Sequence, residues 1–283
     1  MNYSRIWTVA KKELGAVRTN LQVWLPMCLL PLILGGVVPG AAVLALRYSQ
    51  PPPGLELAAQ MAKTQLWLGR YPTELQALFQ GMPTINAQVA WLMCNYLFSP
   101  MILIIPLMAG NVMATESFVG ERERGTLEAL LLTPATLGEL LSGKVVAALV
   151  AALATSWLTF LLQIIVINAV ALPWVERYFF PQWHHLPLML LLVPALALFA
   201  VLGGVFISSR VQTFQAGYQL GGILVLPVVG LVASQAAGLF VLDASYSVIL
   251  GLAMLVLDLV LLRVLAQSLE RDKLTTKWVS ADR

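Results

Sequence analysis

The densest run of charge in this chain is Glu121-Arg122-Glu123-Arg124-Gly125-Thr126-Leu127-Glu128-Ala129-Leu130-Leu131-Leu132-Thr133-Pro134, in a protein with only 11% charged residues. As a helix, Leu127, Leu130 and Leu131 fall at i, i+3 and i+4 and share one apolar face, while Glu121, Glu123, Arg124 and Glu128 lie elsewhere on the wheel. Arg124 and Glu128 are one turn apart and can pair, and Pro134 ends the helix. The pattern suits a short amphipathic helix that docks on a partner. A solvated loop that keeps its neighbours in register is the plainer reading. Asp258 is the only acidic residue well inside an apolar run, where a carboxylate must be paired or protonated. Arg263 sits five residues on, about 140° around a helix, and is poorly placed as its partner. Lys144 and Arg210 are better candidates. Asn95, Gln163 and Asn168 also interrupt apolar runs, and with Asp258 they mark a candidate polar or substrate path.

Two other patterns are weaker. Gly138-Glu139-Leu140-Leu141-Ser142-Gly143-Lys144 matches a phosphate-binding loop through its lysine, but Val145 stands where Ser or Thr must hold Mg²⁺. No strand is expected before it, and no other nucleotide motif appears, so this chain does not hydrolyse ATP alone. His184-His185 are sequence neighbours that point apart on any regular element, with no third ligand nearby. They read as interfacial histidines in an aromatic belt with Trp174, Tyr178, Phe179, Phe180 and Trp183. No metal site is expected.

The elements that hold these residues follow from composition. Of 283 residues 59% are hydrophobic, and the mean hydropathy is +0.82. A soluble domain does not tolerate that balance; an integral membrane protein requires it. A net charge of +3 is too small to suggest nucleic acid. Cys28 and Cys94 both fall in apolar runs and read as buried small hydrophobes. The first apolar run is too long for a cleavable signal peptide. Residues 1–20 carry a Trp7, Leu14, Val17 stripe among basic residues and predict an amphipathic helix in the membrane interface. Six transmembrane helices are predicted at 21–46, 89–113, 143–172, 186–207, 218–242 and 245–267. The prolines of the first predict a kinked helix packed on protein, and the glycines of the fifth predict close helix approach. Residues 47–88 form an extracytoplasmic connection with helical stretches at 55–68 and 73–80. Segment 116–141 holds the charged motif, and 268–283 form a charged tail. The fold class is all-α integral membrane, in a single transmembrane domain.

Charge sets the orientation. Of the 17 basic residues, 13 lie in connections on the motif side and 4 on the other. The motif side and both termini are therefore expected in the cytoplasm.

Glu123-Arg124-Gly125-Thr126-Leu127-Glu128, with its leucine-rich turn and Thr133-Pro134, resembles the signature of ABC-2 type permeases, the membrane subunits of a class of ATP-driven exporters. The likeness in sequence covers about 116–144, and the likeness in topology covers nearly the whole chain. The long first connection most resembles the sodium-export (NatB-like) branch. By this resemblance 1–20 is an elbow helix. The motif, with Glu121, Arg122, Glu123, Arg124, Gly125, Thr126, Leu127, Glu128, Leu130 and Leu131, is a cytoplasmic coupling helix that docks on a separate ATPase subunit. Two ATPase copies bind ATP and Mg²⁺ beneath two permeases, paired as a homodimer or a paralogous heterodimer in the cytoplasmic (inner) membrane. The chain itself needs no cofactor and is not an enzyme. An ion-coupled secondary transporter is the alternative. It would favour paired charges at mid-membrane and inverted repeats, and no repeat is found here.

Overall fold

The computed structural model describes residues 2–17, 20–49, 82, 84–125, 135–178, 180–237, 239 and 241–281. The face of Leu127, Leu130 and Leu131, together with Thr126 and Glu128, lies outside the described residues, as do the stretches expected at 55–68 and 73–80. Among the described residues six helices are long and apolar enough to cross a membrane: Leu21–Tyr48, Ile85–Glu123, Gly138–Val175, His185–Ser208, Phe214–Ala236 and Ala244–Gln267, called spans one to six. A separate helix, Tyr3–Val17, precedes them. No strand occurs among the described residues, and the chain is an all-α, multi-pass membrane protein.

Local sequence chemistry sets where the spans begin. Asn20, Thr84 and Thr213 each accept a backbone N–H of the helix they open, from Gln22, Ala87 and Ala216. Thr136 and Glu139 close a reciprocal capping box at the start of the third span, which uses up the first unpaired donors. The stretch that mimics a phosphate-binding loop is therefore the first two turns of a helix. In the sixth, the helix continues past the apolar run to Ala281, through most of the stretch expected as a tail.

Spans two and four are the centre of the bundle. Their apolar windows are 78% and 56% buried, against 28%, 17% and 11% for spans one, five and six. Most of the largest buried side chains, among them Leu92, Ile102, Leu103, Leu107, Leu188 and Leu192, come from these two central spans. Span one meets span three through small residues. A Cβ at Gly35 would sit 2.7 Å from the Thr159 methyl group, and one at Gly40 would sit 2.8 Å from Val166. Beyond Pro26 and Pro31, span one widens into π-helical turns at Leu32–Val37. Packing on protein is one-sided there, with Leu25, Leu29, Leu32 and Val37 exposed. In span five, the helix approaches span two at Gly217 and Gly221, where a Cβ at Gly221 would overlap the Asn111 amide. Gly222 and Gly230 meet nothing.

Span two is broken near its middle. A π-helical stretch at Met93–Leu97 leads to Ser99-Pro100. Proline has no N–H, so the Tyr96 carbonyl loses its helical donor. The Gln235 side-chain amide, from span five, donates to that carbonyl instead. Ser99 Oγ donates to the Asn95 carbonyl within span two. Each freed acceptor is met from inside the protein, as hydrocarbon surroundings demand.

Candidate functional site

The N-terminal helix packs against the start of span three, and Gly143 permits it. A Cβ at Gly143 would lie 2.7 Å from Val9 Cβ and 2.9 Å from the Ile6 carbonyl. This approach turns Glu13 inward. Glu13, Glu121 and Lys144 are 6%, 5% and 2% exposed, although they come from three separate helices. Lys144 Nζ donates to Glu121 Oε2 at 2.6 Å, to Glu13 Oε1 at 3.2 Å and to the Ser117 carbonyl at 2.6 Å. Its three donors are thereby used. Ser117 Oγ donates to the other Glu13 oxygen at 2.9 Å. Lys12, half exposed, reaches Glu121 Oε1 at 2.7 Å and Glu13 Oε1 at 3.2 Å. Two carboxylates and two ammonium groups thus balance. Burial works against the Lys12 charge, but the hydrogen bond to Glu121 and the fields of Glu13 and Glu121 outweigh it and raise the ammonium above the ordinary lysine value.

A rim of polar contacts surrounds this cluster. Glu116 Oε1 accepts from Arg124 and from Asn20 Nδ2, both at 2.7 Å. Arg122 donates to the Val211 carbonyl at 3.2 Å, which ties the motif to the connection before span five. The Asn2 backbone N–H donates to Glu139 Oε1 at 2.7 Å. Ser117 and Glu121 face Lys144 from the π-helical end of span two, Glu116–Gly120, and the short helical turn that follows it. Gly125 follows with φ +67°, a left-handed conformation that suits glycine.

The arrangement is mechanical. It clamps the N-terminal helix, the end of span two and the start of span three into one block, which holds the first residues of the charged motif. Within the motif, Glu121 is buried in the clamp, Arg122 and Arg124 are bonded at its rim, and Glu123 is exposed. Arg124 pairs with Glu116; Glu128, the partner expected for it, lies outside the described residues. Sequence reasoning missed Lys12, Glu13, Ser117 and Lys144 as members. The available signals were Ser117 and Glu121 at i and i+4, and a lysine opening an apolar span.

The polar residues expected inside the membrane, Asn95, Gln163, Asn168 and Asp258, are all buried. Asn168 Nδ2 donates to the Ile164 and Phe180 carbonyls at 2.9 and 2.6 Å. Among the described residues, the side chains of Gln163 and Asp258 have no hydrogen-bond partner. The partners expected for Asp258 are engaged elsewhere: Lys144 in the clamp, and Arg210 over the Phe206 ring with 4.5 Å between guanidinium carbon and centroid. Asn95 Nδ2 bonds the Trp91 carbonyl at 3.0 Å.

His184 and His185 depart from the interfacial reading. They are 9% and 1% exposed, with rings 4.2 Å apart. Their neighbours are the broken segment of span two: His184 Nε2 donates to the Asn95 carbonyl at 2.8 Å, and His185 Nε2 meets Ser99 Oγ at 2.8 Å. Tyr96 stacks on His184 at 4.6 Å. Burial holds the His184 imidazole below the ordinary histidine value, although its bond to Asn95 and the charge of Asp243 oppose this. Backbone acceptors drew the histidines inward, and a sequence window does not display those. Among the described residues no group of three His, Cys, Asp or Glu side chains is placed to hold a metal.

A family model described as "ABC-2 family transporter protein" matches residues 7–244. No curated protein matches the chain.

Proposed function

The chain belongs to the ABC-2 family of transporter proteins, and from that premise we propose that it is the permease of an ATP-driven exporter in the cytoplasmic membrane, worked by a separate ATPase. The single observation that carries the coupling part of this reading is the Glu13–Lys144–Glu121 clamp. A force applied to the motif at Gly125 reaches a block of three helices tied by buried ion pairs. Breaking one such pair costs about 3–5 kcal/mol, so the block moves as a unit before it yields. Displacement of the motif then moves spans two and three together.

In this reading 126–134 docks on the ATPase through Leu127, Leu130 and Leu131, with Arg124 and Glu128 at the rim, while Glu121, expected at that rim, is held in the clamp instead. The helix Tyr3–Val17 is the elbow that anchors the clamp at the membrane surface. Two ATPase copies bind ATP and Mg²⁺ and supply the hydrolysis. A second permease, identical or paralogous, completes the passage. The excess of basic residues on the motif side supports a cytoplasmic location for that side and for both termini. Co-expression with a candidate ATP-binding-cassette ATPase tests the reading. The two should copurify from membranes, and ATP should drive export in vesicles that contain both. A permease that moves substrate on an ion gradient with no ATPase present would establish the secondary-transporter alternative instead.

A further inference from the structure

Within the transporter reading, we propose that Asp258 is a proton-binding site: it holds a proton while span six packs on span four and gives it up when the two helices part. Asp258 is 1% exposed, and among the described residues neither carboxyl oxygen has a hydrogen-bond partner. Its neighbours on the same helix, Val256, Leu257, Leu259 and Val260, are exposed, so the carboxyl lies on the narrow face of span six that the protein covers.

The facing surface is identifiable. Span six packs on span four and on the π-helical turns Leu188–Leu192 that begin it. A Cβ at Gly251 would lie 2.8 Å from the Leu191 side chain and 3.3 Å from the Leu192 nitrogen. Spans four and six run in the same direction, since one span separates them. Asp258 is seven residues beyond Gly251, or about 10 Å along the axis, and lies level with the middle of Val193–Ser208. That helix carries no ionisable side chain, and neither do Leu188–Leu192. Charged and titratable groups near these elements are elsewhere. His185 sits at the far end of span four, bonded to Ser99. Arg210 lies past the opposite end, on Phe206. Arg263 is exposed and about 140° around the helix.

An ionised carboxylate with neither a cation nor a hydrogen-bond donor is far costlier in apolar surroundings than a protonated one. A metal cation does not fit, because it needs several oxygen ligands and the facing stretch offers no side-chain oxygen before Ser208. The proton is the ligand that the site accepts. Loading takes it from hydronium, giving a neutral carboxyl and water, and release reverses the step with nothing oxidised or reduced. Ionisation needs water at the carboxylate, and parting of spans four and six admits it. Span six is the least buried of the six.

Infrared spectroscopy of the purified permease in lipid vesicles, without ATPase, reads the site directly. The chain has four aspartates, Asp243, Asp258, Asp272 and Asp282. Carboxyl-¹³C aspartate labelling therefore isolates a small set. At neutral pH the labelled wild type should show a protonated-carboxyl stretch that shifts in D₂O, and Asp258→Asn should lack it. Should Asp258→Asn fail to fold, the labelled wild type still decides, because the band must persist well above the ordinary carboxylate range. Absence of the band at neutral pH, or its loss on adding sodium at fixed pH, overturns the proposal. Because the ATPase is absent, failure here leaves the exporter reading intact. Failure of ATPase binding would leave this band unchanged.

Discussion

Replacing Lys144 with methionine keeps the stem of the side chain and removes its charge. Glu13 and Glu121, 6% and 5% exposed, then face each other with only the half-exposed Lys12 between them. Loss of one partner from a buried ion pair costs about 3–5 kcal/mol. Lys12 offsets part of this, which leaves about 3 kcal/mol against docking of the N-terminal helix. At about 1.4 kcal/mol per decade, that is roughly a hundredfold shift toward the undocked helix. Amide exchange of Tyr3–Val17 in Lys144→Met, measured by mass spectrometry in detergent, should rise by about that factor while the centres of spans two and four stay protected. Glu13→Gln in the same background should recover part of the protection, since one of the two stranded carboxylates is gone. Unchanged exchange in Lys144→Met, or strictly additive effects in the double variant, would refute the clamp as an energetic unit.

Gly143→Val tests the same block without touching charge. Its side chain would meet Val9 and the Ile6 backbone, and overpacking of this kind costs about 1–3 kcal/mol, so exchange in the N-terminal helix should rise there too. Gln235→Leu removes the donor to the Tyr96 carbonyl and should lower thermal stability by about 1–3 kcal/mol, checked by unfolding in detergent. The pH dependence follows from His184, whose folded value lies below the unfolded one. Below the ordinary histidine value of about 6.5 the unfolded chain binds more protons. Stability should therefore be greatest above that pH and decline as pH falls toward the folded value, with the slope reduced in His184→Asn; an unreduced slope assigns the effect elsewhere. Single cysteines at Thr64 and Ser280, with Cys28 and Cys94 replaced, should label from outside and inside intact cells respectively. Labelling from one side overturns the six-span topology.

Much of the fold was legible because membrane spans advertise themselves. A run such as 145–172 can satisfy its backbone only as a helix in hydrocarbon, and the pattern is local. The motif was equally visible as a charge island between apolar runs. The clamp was not, because Glu13 and Lys144 are 131 residues apart, and packing of the N-terminal helix on span three, with Gly143 against Val9 and Ile6, brings them together. Asp258 was conspicuous, but its surroundings were not. Lys144 looked free for it until Glu13 and Glu121 were seen to hold that lysine. The histidines misled for a related reason. A sequence shows their aromatic neighbours in the loop but not the carbonyl that the break in span two leaves open at Asn95.

Capture of the ATPase by permease altered at the motif tests the coupling role most directly. Leu130→Asp places a carboxylate on the apolar face, and Glu128→Lys reverses a charge at its rim. With permease inserted at normal abundance, both variants should lose ATPase in pull-down and lose transport-linked ATP hydrolysis in reconstituted vesicles, because a buried unpaired charge is not tolerated in such a contact. Wild-type capture and wild-type hydrolysis for both variants would contradict the docking role of this segment.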